Sequence, residues 1–163
     1  LLFETFTLHG DYLQQQTRGL AGVEFLGDYG FELSRSFKAL KLWMSLKEQG
    51  VAKFGALIDQ HVDLAQYLAG LVRADARLEL MAPVAINIVC FRYRGHGGTE
   101  DDLRALNTEI MLRIQESGLA APTDTTLRGR HSLRAAINNH RTRRDDLDIL
   151  VREVLRWGAA LQG

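Results

Sequence analysis

Between Phe54 and Val72 the apolar residues Phe54, Leu57, Ile58, Leu64, Ala65, Leu68, Leu71 and Val72 return at the spacing of one helical face, with His61 on the same stripe. Over roughly 20 residues this predicts a rod of about 30 Å. One face of such a rod must be covered, so the rest of the chain has to supply apolar surfaces for it. Just before it, Phe37, Leu40, Trp43, Met44 and Leu46 predict a helix ending at Gly50, a residue suited to the left-handed cap position.

Beyond the rod the period changes. Arg77 to Met81 alternates, and Asn87 to Arg94 is rich in β-branched and aromatic residues, so two strands meet around Pro83. Gly95-His96-Gly97-Gly98 is a turn. Thr99 with Asp102 forms a capping-box variant ahead of a helix carrying Leu103, Leu106, Ile110 and Ile114 and ending near Gly118. Thr123 to Arg128 and His131 to Asn138 are two further strands, the second with Leu133, Ala135 and Ile137 on one face and Arg134 on the other. Gly129 and the Asn138-Asn139 pair punctuate them. Thr142 with Asp145 predicts the start of a last helix lined by Leu147, Leu150, Val151, Val154, Leu155 and Leu161. Residues 1 to 34 show no sustained period and are expected to be a connecting region with short elements. This order predicts an α+β fold, a small, mainly antiparallel sheet covered by helices and preceded by long helices.

Twenty basic and twenty acidic side chains leave no net charge to draw the chain to nucleic acid or anionic lipid. Apolar runs such as Leu80 to Ile86 fall far short of the roughly 20 residues that span a bilayer, so no membrane partner is expected. The single Cys90 excludes an internal disulfide and multi-cysteine metal sites and fits a reducing compartment, the cytoplasm. The chain opens on Leu1 without Met or a signal peptide, as a piece of a longer polypeptide would. Its 163 residues suffice for one core with room for an appendage.

Four features could carry chemistry. The glycine-rich turn before Thr99 has the setting of a phosphate loop, but Glu100, Asp101 and Asp102 would repel a phosphate there, and a plain turn is the better reading. Arg128 to Arg144 holds six arginines and two histidines without an acid, yet its strand alternates as a solvated face does, and no nucleic-acid partner is expected. The five histidines (His9, His61, His96, His131 and His140) lack metal-ligand spacing, so no metal is expected. His61 reads as a hydrogen-bonded packing residue and Cys90 as a buried small hydrophobe. The fourth feature is Glu32 to Met44, where Ser34 or Ser36 is placed to cap a helix.

Leu33-Ser34-Arg35-Ser36-Phe37-Lys38-Ala39-Leu40-Lys41-Leu42-Trp43-Met44 resembles the LSRRFRALKLWM signature of pyridoxal-phosphate-dependent group II amino-acid decarboxylases, the aromatic-amino-acid and histidine decarboxylase relatives. The likeness continues in family order through Gly50, the long helix, Asn87 to Arg92, Leu127-Arg128-Gly129 with Leu133-Arg134, and the Asn139 to Thr142 turn. It implies the carboxy-terminal part of a fold-type-I enzyme that releases carbon dioxide from an L-amino acid. Residues 1–50 would be the end of the large cofactor domain and its linking helix, and residues 51–163 the small α+β domain.

The family holds pyridoxal phosphate as a Schiff base on a His-Lys lysine, with an upstream aspartate on the ring nitrogen. This sequence has no His-Lys pair. The resemblance therefore implies that the catalytic lysine lies upstream and that the isolated chain is inactive. It further implies a homodimer with the active site at the subunit interface, where Leu33 and Ser34 approach the neighbour's substrate and Arg35 organises the loop by charge-assisted hydrogen bonds. Ser34 retains capping as a competing role. Ser36 departs from the family's second arginine, so the substrate class does not carry over. The rival reading is a noncatalytic α+β module for dimerisation or regulation.

Overall fold

The computed structural model describes Glu4, Thr5, Tyr29 and residues 36–163. Two compact units divide the chain, Leu1–Gln49 and Gly50–Gly163. In the first, helix α1 spans Lys38–Gln49 and buries none of its residues. The short elements expected before residue 34 otherwise lie outside the described residues.

The second unit runs α2 (Val51–Ala74), β1 (Leu78–Leu80), β2 (Ile88–Tyr93), α3 (Glu100–Glu116), β3 (Thr123–Leu127), β4 (Arg130–Ala136) and α4 (Arg144–Gln162). Gly50 stands at φ 80 between α1 and α2, a conformation that interrupts the helix and that glycine adopts without strain. The four strands form one antiparallel sheet in the order β1-β2-β4-β3. Pairing of Phe91 with Leu133 and of Val89 with Ala135 sets the apolar positions of both strands on one face. That face, with Leu78 and Tyr93, meets Leu64, Leu68 and Val72 of α2, Ile110 and Ile114 of α3, and Leu147, Leu150 and Val154 of α4 in a single core. The opposite face carries Glu79, Cys90, Arg92, Ser132 and Arg134. β3 and β4 are joined by Arg128 and Gly129 at φ 51 and 79, the two positive values that a two-residue hairpin with native twist requires.

Local chemistry fixes most boundaries. Thr99 Oγ1 accepts from the Asp102 amide at 3.2 Å while the Asp102 carboxylate accepts from the Thr99 amide at 3.0 Å, the reciprocal cap the sequence predicts. At α4 the expectation of a Thr142–Asp145 pair is corrected by one residue. The Asp146 carboxylate accepts from the Arg143 amide at 2.8 Å, whereas the Thr142 amide is taken by the Asn139 carbonyl of the preceding turn. α2 departs from expectation more widely. Its stripe is continuous in sequence, but its buried residues begin only at His61, because β1, β2 and α4 cover just the second half.

Tyr93, the last residue of β2, ties three elements together. Asn107, fully buried on α3, accepts from the Tyr93 amide and donates to the Tyr93 carbonyl, each at 2.8 Å, and donates again to Leu103 O. The Tyr93 ring lies against Gly158 of α4, where an added Cβ would come within 2.6 Å of three ring atoms. Gly158→Ala is therefore expected to destabilise the chain, since overpacking of about 2–3 kcal/mol outweighs a helix-propensity gain of about 1 kcal/mol. Asn107→Ala should cost about 3 kcal/mol by stranding two buried backbone groups. Denaturant titration checks both; a stabilised Gly158→Ala would show that the ring yields.

Candidate functional site

Leu33, Ser34 and Arg35, the residues implied to stand near substrate, lie outside the described residues. Of their signature the structure describes Ser36 onward. Ser36 is exposed, and its carbonyl accepts from the Lys38 amide at 2.8 Å. Its hydroxyl makes no hydrogen bond among the described residues. Since α1 starts at Lys38, the cap position is Phe37, so the capping role read for Ser36 is not realised. The apolar residues Phe37, just ahead of α1, and Leu42, Trp43 and Met44 on it are largely exposed. The four lysines of the chain, Lys38, Lys41, Lys47 and Lys53, are all exposed on α1 and α2.

The glycine-rich turn is a plain turn. Gly97 donates to the Arg94 carbonyl at 2.7 Å, and at the start of α3 the Thr99 amide donates to the Asp102 carboxylate while the Asp102 amide donates to the Thr99 hydroxyl oxygen. Hydrogen bonds from the Thr99 hydroxyl and amide hold that carboxyl below its ordinary range, so the place of an anion is filled from within the chain. The arginines from 128 to 144 do not form one patch. Arg130 joins an ion cluster, Arg134 lies on the sheet face away from the core, and Arg144 stacks 4.9 Å from the Tyr67 ring. His131 on β4 lies 3.2 Å from Asp124 of β3. His61 is buried as expected, but its Nε2 has no hydrogen-bond partner among the described residues. Cys90 is buried, and burial pushes its thiol up, against the opposing pull of Arg134. Among the described residues no group of three or more His, Cys, Asp or Glu is placed to hold a metal ion.

One polar constellation was not read from the sequence. On the reverse face of the sheet Arg92, only 4% exposed, donates to Glu79 at 2.8 Å and to both carboxylate oxygens of Glu100 at 2.8 and 3.0 Å. Arg130 closes the ring, 2.6 Å from Glu79 and 3.4 Å from Glu100. Strand register brings Glu79 opposite Arg92, and the turn after β2 brings Glu100 back over them. The signal available was alternation, since Glu79 and Arg92 are the polar partners of buried Leu78 and Phe91. Burial pushes the Glu79 carboxyl up, but hydrogen bonds from Arg130 and Arg92 outweigh it and hold the group below its ordinary value. Glu100 is lowered chiefly by its hydrogen bond from Arg92. The ring joins β1, β2, β4 and α3; it is a clasp with no bare reactive group.

Comparison with known proteins supplies what these residues alone do not. The sequence model of the pyridoxal-dependent decarboxylase conserved domain matches residues 1–94. The chain is 35% identical over 133 residues to tryptophan decarboxylase 1 of Oryza sativa subsp. japonica, covering 79% of this chain and 26% of that protein. It is 32% identical over 144 residues to phenylacetaldehyde synthase of a Rosa hybrid cultivar, covering 84% and 28%. Its fold is similar to the crystal structure of Oryza sativa TDC with PLP and tryptamine, with a TM-score of 0.76 and 30% identity over 85% of this chain and 30% of that one. The chain thus spans less than a third of the length of these relatives.

The ionic clasp carries a pH signature. Because Glu79 and Glu100 are held below their ordinary values, their contribution is present above the unfolded carboxylate range near pH 4.3 and is lost as pH falls through the lower folded values. The urea midpoint should therefore be flat from about pH 7 to 5 and decline below about pH 4. Glu79→Gln should lower stability at pH 7 by about 1–2 kcal/mol and make the acid decline shallower. An equally steep decline in the variant would deny the clasp that role.

Proposed function

Because the chain belongs to the pyridoxal-dependent decarboxylase family, we propose that it is the carboxy-terminal part of an enzyme that removes the α-carboxyl group of an L-amino acid as carbon dioxide. The observation that carries this reading is the match of the family's conserved domain over residues 1–94, a stretch that contains the entire Leu33–Met44 signature. In this reading residues 1–50 end the large cofactor domain and residues 51–163 form the small domain. The relatives named for tryptophan and tyrosine make aromatic L-amino acids the first substrates to test. The relative named phenylacetaldehyde synthase requires that amine and aldehyde products be told apart.

The described residues do not themselves fit pyridoxal phosphate. The four lysines are exposed on helices, and the start of α3 already holds a carboxylate of the chain itself, that of Asp102, which accepts from the Thr99 amide. Bound pyridoxal phosphate supplies an electron sink for the pair left by the departing carboxylate, and in the proposed complete enzyme its covalent lysine and phosphate seat belong to the preceding polypeptide. This chain instead supplies a wall. In a homodimer, Leu33 and Ser34 of one subunit would border the substrate of the other, with Ser34 donating or accepting a hydrogen bond and Arg35 holding the loop. Among the described residues no helix is long and apolar enough to cross a membrane, which is compatible with a cytoplasmic enzyme. A noncatalytic module for dimerisation or regulation is the second reading, favoured by the absence of a His-Lys pair from the sequence.

Two measurements separate these. The complete protein, supplied with pyridoxal phosphate, is expected to release carbon dioxide from an aromatic L-amino acid, while the 163-residue chain releases none; no release from any amino acid by the complete protein favours the noncatalytic module. In the active protein, Ser34→Gly should change the ratio of kcat/KM between two amino acids about tenfold with the thermal midpoint preserved. An unchanged ratio would remove Ser34 from the substrate pocket.

A further inference from the structure

We draw no further inference here: the strongest candidate, the cavity of about 290 Å³ that Met81, Ala82 and Pro83 form with Leu127, Arg128 and Arg130 at the turn joining β3 to β4, carries nothing, because Arg130 is already committed to Glu79 and Glu100 and nothing in the structure shows what covers the cavity.

Discussion

The arrangement of the second unit depends on how the end of β2 is held. Tyr93 has its backbone amide and carbonyl bound by Asn107 from α3 and its ring set against Gly158 of α4. A strand end is where ladder hydrogen bonds run out, and an unsatisfied buried amide is expensive. A fully buried asparagine answers this with one acceptor and two donors, the second donor returning to the carbonyl of Leu103 on its own helix. The position of α3 over the sheet is thereby fixed by directional bonds, and that of α4 by the close approach only a glycine allows. The remaining core contacts are less directional and fill the space this arrangement leaves.

On the other face of the sheet the same logic is electrostatic. Arg92 is almost wholly buried, which is tolerable because two carboxylates surround it and Arg130 balances them. The cluster closes over the start of α3, where the Asp102 carboxylate accepts from the Thr99 amide. A turn with the glycine content of an anion loop therefore spends its hydrogen-bonding capacity internally. The charged groups of this cluster and of the adjoining helix cap are thus paired with each other within the chain.

Burial is uneven along the first two helices. α1 buries none of its residues and α2 buries none of its first ten, while the second half of α2 is deep in a core. Neither helix lacks amphipathic pattern.

Much of this was legible in the sequence, for a physical reason. Helical and strand periods, the glycine at position 50, the Thr99–Asp102 cap and the two strands flanking Gly129 are set by interactions within a few residues, so the element order and the α+β class followed from pattern alone. The signature from Leu33 to Met44 likewise carried the family. What local pattern could not supply was anything depending on groups far apart in the chain. The Glu79, Arg92, Glu100 and Arg130 clasp needs strand register. The partners of Asn107 and the constraint at Gly158 need the helices placed on the sheet. The Nε2 of His61, expected to be hydrogen-bonded, has no partner among the described residues. The stripe of α2 shows the division most clearly. The sequence determined that one face of the helix is apolar from end to end, and only the tertiary structure decided that this unit covers half of it, because burial depends on the reach of the neighbouring elements and not on the helix itself.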